Sequence, residues 1–195
     1  MKNLEGLKLG VALCGSFCTF KKAVVMIEKL VELGVDVYPM MSFNAYNIST
    51  RFGEKEHFIN VIEALTGKKI IHTIVDAEPV GPKHMVDAML IAPCTGNTLS
   101  KIAHSMVDTP VTLAAKSLLR NGKPLIIAIS TNDGLGMNLQ NIGSVISNQS
   151  IFFVPFGQDD AVNKPYSLIS DLALVPETVS LALEYKQLQP LLLTQ

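Results

Sequence analysis

Short apolar runs alternate with segments of helical periodicity along the chain. Runs of five to seven mostly apolar residues, ended by glycine, proline or polar side chains, predict buried β-strands. The predicted strands are 8–13, 35–41, 88–92, 125–129 and 151–155. Apolar side chains spaced three and four residues apart predict amphipathic helices in the intervening segments and after the last strand. The predicted helices are 19–33, 54–65, 98–106, 110–121, 139–147 and 176–189.

Three prolines bear on the ends of these elements. Proline has no backbone N–H, so Pro39 predicts that the second strand ends early or kinks. Pro93 is expected to end the third strand. Pro176 opens the last helix, where proline is favourable at the first helical position.

The alternation of buried strands and helices predicts the fold class. Strands that are apolar throughout are buried on both faces, which is typical of a parallel sheet covered by helices. We therefore expect an α/β fold with a doubly wound, flavodoxin- or Rossmann-like parallel sheet and helices on both faces, in three αβα layers. A length of 195 residues predicts a single domain over 1–195.

The composition excludes several classes of protein. Hydrophobic residues make up 48% of the chain and charged residues 17%, so the chain is not disordered. A net charge of −1 offers no basic surface for nucleic acid. The sequence contains neither a membrane-length apolar run nor the apolar core of a signal peptide. The small share of charged side chains predicts uncovered apolar surface, and hence a homo-oligomer.

The cysteines indicate a reduced, cytoplasmic protein. Cys14, Cys18 and Cys94 show neither a disulfide pattern nor zinc-ligand spacing, and we predict no metal site. Cys94 precedes a predicted helix, whose dipole could lower the pKa of its thiol. The alternative for Cys94 is a small packing residue.

Small polar residues follow four of the predicted strands. Ligands of doubly wound sheets bind at the carboxyl ends of the strands, where glycine and hydroxyl groups beside helix N-termini suit a phosphate. The alternative is ordinary turn chemistry, with Ser16 as a helix N-cap and Asp133 capping a turn. Asn97 is the strongest single candidate, because its amide donates and accepts hydrogen bonds without titrating. The residues at these strand exits are Gly15, Ser16, Phe17, Ser42, Asn44, Ala45, Cys94, Thr95, Asn97, Thr98, Ser130, Thr131 and Asp133.

These motifs carry a family resemblance. The segment Ile-Ala-Pro-Cys-Thr-Gly-Asn-Thr-Leu-Ser-Lys-Ile-Ala at 91–103, followed by Asp108, resembles the signature of the flavoprotein family of homo-oligomeric flavin-containing cysteine decarboxylases. Gly15-Ser16 resembles the phosphate loop of that family, and Ser-Phe-Asn-Ala at 42–45 resembles its second phosphate-side loop. The resemblance implies an FMN pocket, with Gly15, Ser16 and Ser42 near the phosphate and 93–98, including Pro93, beside the isoalloxazine ring. It also implies trimers or multiples of trimers.

Two departures limit what the resemblance implies about the reaction. The family decarboxylases carry a catalytic histidine where spacing places Pro79 here. Their Pro-Ala-Met-Asn motif is replaced by Ser-Thr-Asn-Asp at 130–133, with Met137 and Asn138 downstream. The resemblance therefore does not extend to oxidative decarboxylation of a cysteine.

The segments 78–83, 94–98 and 130–134 together most resemble the B-subunit family of dipicolinate synthases. That resemblance implies formation of dipicolinate from dihydrodipicolinate or hydroxytetrahydrodipicolinate in the mother cell of a sporulating bacterium. It implies the A subunit of dipicolinate synthase as a partner, NADP bound by that partner, and a small dicarboxylate substrate. Lys83 could pair with a substrate carboxylate, so Asn97 and Lys83 are the predicted catalytic residues. Two alternatives stay open: a stand-alone FMN-dependent decarboxylase or flavin prenyltransferase-like enzyme, and a non-catalytic binding subunit with a vacant flavin pocket.

Overall fold

Five parallel strands form the centre of the structure, a computed structural model that describes residues 3–194. They are β1 (Lys8–Leu13), β2 (Asp36–Met41), β3 (Ala88–Cys94), β4 (Leu125–Thr131) and β5 (Ile151–Phe153). Their order across the sheet is β2-β1-β3-β4-β5, with all neighbouring pairs parallel. This is the flavodoxin-like order of doubly wound sheets, and the predicted fold class is confirmed.

Helices cover both faces of the sheet. In chain order they are α1 (Phe20–Glu32), α2 (Phe43–Asn47), α3 (Lys55–Thr66), α4 (Ile74–Ala77), α5 (Gly96–Ala103), α6 (Pro110–Arg120), α7 (Asn138–Ile146) and α8 (Val175–Ala182). Helices α1, α3 and α8 pack in the core of one face, and α5, α6 and α7 pack in the core of the other. Every helix in the described range is too short or too polar to span a bilayer.

Alternating side chains of the central strands supply both cores. In β4, Ile126 and Ala128 point into the first core, whereas Ile127 and Ile129 point into the second. These four side chains are at most 1% exposed. Burial of a large aliphatic side chain contributes about 1.5–3 kcal/mol, so strands buried on both faces have to be apolar at every position.

An antiparallel hairpin extends the sheet at one end of β4. Strands β6 (Phe156–Asp160) and β7 (Lys164–Ser170) form the hairpin, and β7 pairs with the last two residues of β4. The pattern analysis did not predict it, because most of its outer residues are exposed and polar. The outer edge of β4 thus pairs with β5 in its first half and with β7 at its end.

Both strand prolines lie inside strands, so the predictions about them are wrong. Pro39 pairs in register with Val11 within β2. Met41 donates from its N–H to the Ile71 carbonyl on the outer side of β2. Pro39 lies two residues before Met41, so its backbone nitrogen faces the same side of the strand. The N–H that Pro39 lacks would therefore point away from β1, at the sheet edge, where proline is tolerated. Strand β3 likewise continues through Pro93 to Cys94, with an irregular register after Ile91.

The last helix is shorter than predicted. It ends at Ala182, and Tyr185 has a φ of 56°, in the left-handed region that stops a helix. The Tyr185 hydroxyl donates to the Gly122 carbonyl at 2.6 Å. The Gln187 side chain then bonds both backbone groups of Phe153, which ties the C-terminal segment to β5 instead of prolonging the helix.

Candidate functional site

The loops after β1, β2 and β3 meet at the carboxyl edge of the sheet. Ser42 donates from its N–H to the Leu13 carbonyl at 3.0 Å, which joins the loops after β2 and β1. Cys14 donates from its N–H to the Pro93 carbonyl at 3.1 Å, which joins the loops after β1 and β3. The three predicted loops are therefore adjacent, as expected for the exits of neighbouring parallel strands.

Side-chain hydroxyls connect the first loop to the carboxyl end of β4. The Ser16 Oγ lies 2.8 Å from the Ser130 Oγ, and the Thr19 Oγ1 lies 3.0 Å from the same atom. Thr19 and Ser130 are buried and Ser16 is half-buried. The Ser16 hydroxyl accepts no hydrogen bond from a backbone N–H of the helical turn that follows it, so the alternative in which it serves as an N-cap is wrong. Its hydroxyl instead belongs to a cluster that spans two strand exits.

The loop after β3 is shaped by the start of α5. The Thr95 hydroxyl accepts from the Thr98 N–H at 3.3 Å and caps the helix, and caps of this kind contribute about 1 kcal/mol. The Thr98 hydroxyl donates to the Cys14 sulfur at 3.2 Å. Asn97, between them, is exposed and makes no side-chain hydrogen bond to any residue in the described range. Its amide is therefore available to a ligand.

A polar network holds the loop after β4. Asp133 accepts from the Thr131 hydroxyl at 2.6 Å and from the Asn138 amide at 2.7 Å. Asn141 in turn donates to Asn138 at 2.8 Å, and both asparagines are buried. The Asp133 carboxylate therefore bonds side chains, whereas the turn is closed by its backbone carbonyl, which accepts from the Gly136 N–H. The network fixes the start of α7.

Gly96 brings α5 against this network. A Cβ at Gly96 would lie 2.4 Å from the Asn138 Nδ2, 2.7 Å from the Thr131 Oγ1 and 2.9 Å from an Asp133 carboxylate oxygen. Side chains do not approach so closely, so only glycine allows the loops after β3 and β4 to touch. The four strand exits consequently form one continuous cluster, which we call the carboxyl-edge cluster.

The remaining predicted residues flank the carboxyl-edge cluster. The Ser42 hydroxyl accepts from the Ala45 N–H at 3.3 Å and caps α2. Asn44 is exposed and lies close to Gly15: a Cβ added to Gly15 would be 3.6 Å from the Asn44 Cβ. Phe17 is half-buried and packs at 5.2 Å from Phe20, measured between ring centroids.

The two buried thiols of the cluster are poor nucleophiles. Burial raises the pKa of the Cys14 thiol to about 11, although the hydrogen bond from Thr98 opposes this shift. Burial also raises the pKa of Cys94, and the neighbouring Cys14 adds to the effect. The expectation that the helix dipole lowers the pKa of Cys94 is wrong, because loss of hydration outweighs the dipole at a fully buried site. Cys94 packs in the second core.

Lys83 does not lie in the carboxyl-edge cluster. It is exposed in a turn that precedes β3, and β3 then spans about 20 Å to its carboxyl end. Gly81 in this turn packs against Ser117 of α6, and its carbonyl accepts from the Asn121 side chain at 3.2 Å. These contacts hold the segment at the amino edge of the sheet. Within one chain, the structure therefore separates the two predicted catalytic residues, Asn97 and Lys83.

His72 and Tyr46 are further aromatic residues at the carboxyl edge, which the sequence analysis did not select. Ile71 bridges to Met40 in parallel register, so His72 lies level with Met41 at the end of β2. The His72 ring stacks on Tyr46 of α2 with 3.6 Å between ring centroids and an interplanar angle of 11°. The β-branched run Ile-Ile-His-Thr-Ile-Val at 70–75 is a strand signal that could have placed His72 beside the sheet.

Comparisons with known proteins agree with this architecture. The family described as Flavoprotein matches residues 1–168. The chain is 47% identical to the dipicolinate synthase B subunit of Bacillus subtilis (strain 168) over 192 residues, which cover 98% of this chain and 96% of that protein. The crystal structure of the dipicolinate synthase B subunit from Bacillus halodurans superimposes with a TM-score of 0.91 at 44% identity, covering all of both chains. The FMN-dependent cysteine decarboxylase SpaF shares the fold, with a TM-score of 0.69 at 21% identity over 93% of this chain and 97% of that one.

Proposed function

Because this chain belongs to the flavoprotein family, we propose that it acts as the B subunit of a dipicolinate synthase. The observation that carries the proposal is the similarity to two B subunits over the whole chain, at 47% and 44% identity. Similarity over the full length includes the four loops of the carboxyl-edge cluster. The decarboxylase fold relatives, at 21% identity, support the fold and not the reaction.

The proposed reaction forms an aromatic pyridine ring. Dihydrodipicolinate loses one hydride and one proton to become dipicolinate, and hydroxytetrahydrodipicolinate loses a molecule of water in addition. An acceptor has to take the hydride. We propose that NADP held by the A subunit is the final acceptor, so that the complete two-subunit enzyme is an oxidoreductase.

The donor set of the carboxyl-edge cluster fits FMN. Ser16 and Ser42 offer hydroxyl groups and Gly15 offers backbone close to Asn44, which suits a phosphate beside helix starts. The start of α5, from Pro93 to Thr98, offers neutral amide and hydroxyl groups to the edge of a flavin ring. FMN, when bound, would supply a two-electron acceptor close to the substrate.

The chain's own residues would bind and orient in this pocket. Asn97 would hydrogen-bond the flavin ring or a substrate carboxylate at any pH, since its amide does not titrate. Ser130, Thr131 and Asp133 would hold the pocket wall at the end of β4 through the hydrogen bonds described above. Pro79 has no titratable group where the decarboxylases carry their histidine, so this chain offers no base there and we expect no decarboxylation of cysteine-ended compounds.

Reconstitution of the two-subunit enzyme tests the proposed function. The purified chain, the A subunit, NADP and either precursor are mixed, and dipicolinate is followed by its ultraviolet absorbance. We expect turnover only when both chains are present. Turnover at the same rate without this chain would leave it without a role in the reaction. Decarboxylation of a cysteine-ended peptide by this chain alone would favour the stand-alone decarboxylase.

Replacement of Asn97 tests the pocket. Asn97→Ala removes a hydrogen bond of about 0.5–1.5 kcal/mol, so FMN affinity should fall about threefold to tenfold in a fluorescence titration. Gln149→Ala, at an exposed residue outside the cluster, is the matched control and should leave affinity unchanged. If Asn97→Ala changes neither FMN binding nor turnover, a non-catalytic subunit with a vacant pocket becomes the better account.

The proposal also includes the oligomeric state of the protein and its location in the cell. The family resemblance predicts trimers or multiples of trimers, with the flavin near the boundary between two copies. Light scattering on dilute protein measures the assembly state, and a stable monomer would contradict this part of the proposal. A cytoplasmic site in the mother cell follows from the sporulation reaction proposed here.

A further inference from the structure

A groove of about 970 Å³ runs between α1 and the β6–β7 hairpin. Its walls are mainly apolar and include Met26 and Val25 of α1, Leu172 and Pro176 before and within α8, and Leu193 of the C-terminal segment. Val25 remains 63% exposed, although a valine in a single domain gains from burial. Thr19 is the one residue that the groove shares with the carboxyl-edge cluster.

The α1 side of the groove is positively charged. Lys21, Lys22 and Lys29 line it, and Lys29 pairs with Glu32 at 3.1 Å. Lys21 and Lys22 are exposed and have no carboxylate within ion-pair distance in the described range. On the opposite wall, the Asp171 carboxylate accepts from the Ala173 N–H. The groove therefore combines an apolar floor with an excess of positive charge on one side.

The shape of the groove favours a polypeptide over a small molecule. Sites for small molecules bury about 70–90% of their ligand and commonly measure about 300–1,000 Å³. Here the volume is at the upper limit of that range, and Lys21, Lys22 and Val25 are exposed to solvent. A single-ring dicarboxylate would fill a small part of this space and stay exposed on one side. A segment of several residues could cover Val25 and place its carboxylates beside the two unpaired lysines.

A second copy of this chain would reach the groove either through a different patch, as in a trimer, or through a twofold contact. Light scattering on the groove variants tests the first arrangement, and charge disfavours the second. In a twofold contact through the groove, the same patch of both copies would meet. Lys21 and Lys22 of one copy would then face those of the other, and like charges that face each other across an interface disfavour association. The acidic residues of the hairpin are already engaged, since Asp159 pairs with Lys164 and Asp160 bonds Asn163.

We propose that the groove binds an acidic segment of the A subunit that also carries apolar side chains. The inference rests on the proposed function, because that function supplies the partner. The acidic side chains contact Lys21 and Lys22, and the apolar side chains cover Val25 and pack towards Leu172. Since Thr19 both lines the groove and bonds Ser130, the docked segment reaches the neighbourhood of the carboxyl-edge cluster.

Charge reversal tests the groove. Lys21→Glu/Lys22→Glu is compared with Lys55→Glu/Lys116→Glu, which alters the half-buried Lys55 and the exposed Lys116 on other helices. The first pair lies in the first turn of α1, where the helix dipole favours acidic residues, so the variant should fold. Val25→Ser separately removes apolar surface at an exposed position. The dissociation constant for the purified A subunit is measured by calorimetry at low and high salt, and light scattering gives the oligomeric state of each variant.

We expect the Lys21→Glu/Lys22→Glu variant to bind its partner about tenfold or more weakly, and Val25→Ser to bind about threefold to tenfold more weakly. The control should stay close to the parent chain, and the salt dependence of binding should shrink in the charge-reversed variant. Unchanged affinity in both groove variants would overturn the groove and leave the proposed function standing. Loss of the homo-oligomer with intact binding of the partner would also overturn it. If the parent chain fails to bind the A subunit under every condition, the groove and the proposed function both fall.

Discussion

Single hydroxyl groups tie together parts of the chain that are remote in sequence. Thr19 and Ser130 are 111 positions apart, yet their side-chain oxygens are in hydrogen-bond contact. Thr19 also stands at the N-cap position of α1 without capping it, because its hydroxyl is used by Ser130. Sequence analysis selected Ser16 and Ser130 because they follow strands. It missed Thr19, because no local pattern reveals a partner that distant.

A double-mutant cycle should measure this contact. Thr19→Val removes the hydroxyl at nearly constant shape, and Ser130→Ala removes its partner. Each change should lower the free energy of unfolding by about 0.5–1.5 kcal/mol in urea titrations, and the double variant should lose less than the sum. Thr19→Ser serves as the conservative control. Strict additivity would mean that the two hydroxyls do not interact.

The cysteines differ in accessibility despite sharing one edge of the sheet. Cys18 is exposed, whereas Cys14 and Cys94 are buried. With its pKa raised to about 11, only about one Cys14 thiol in a thousand is ionised near pH 8. Iodoacetamide should therefore modify Cys18 first, and Cys14 and Cys94 only after unfolding, as followed by mass spectrometry. Equal rates for the three thiols in the folded protein would contradict the burial of the cluster.

Helices α5 and α7 approach each other closely at Gly96, which has no side chain. Their close approach at Gly96 was not predictable, since the glycine could equally have served a simple turn. The parallel strands, by contrast, were predictable, because burial on both faces leaves continuous apolar runs. The β6–β7 hairpin was not, because its residues alternate weakly and lie largely in solvent.

Two glycines allow a matched test of this helix contact. Gly96→Ala would place a Cβ 2.4 Å from the Asn138 Nδ2, so it should destabilise the protein by about 1–3 kcal/mol. Gly143→Ala lies within α7 with no atom within 4 Å of the new Cβ, and should stabilise by about 0.5–1 kcal/mol. Chemical denaturation measures both. Equal effects of the two substitutions would show that the loops after β3 and β4 do not pack as described.

At the scale of the whole molecule, residues 3–194 form two apolar cores, one on each face of the sheet. The buried strands that supply both cores, and the polar residues at the strand ends, were predictable from the sequence, since each depends on local pattern. It misplaced Lys83 because the turn before β3 resembles a ligand loop in composition, whereas its position at the amino edge follows from contacts with α6. Which edge of a sheet a loop occupies depends on strand direction, and a polar stretch alone does not reveal it.

Because the second core buries thiols, the stability of the folded protein depends on pH in the alkaline range. The folded protein holds the pKa of Cys14 at about 11 instead of 9.0. The contribution of this thiol to the free energy of unfolding is therefore fully present below pH 9 and is lost as pH rises towards 11. The loss amounts to at most about 2–3 kcal/mol, because the unfolded chain releases its proton first. Urea unfolding at a series of pH values measures it. Cys14→Ala should show a smaller fall over the same range, and an identical fall would assign the pH dependence to other groups.

The shared outer edge of β4 has a consequence for aggregation. Strand β5 covers only the first half of β4, so without β7 the backbone of Ser130 and Thr131 would present unpaired N–H and C=O groups. An open strand end of this kind invites pairing with another chain. By folding back as an antiparallel pair, the hairpin blocks that route beside the loops where ligands are expected. The segment thus protects the domain from misassembly, and the other edge is covered at β2 by Ile71 in a similar way.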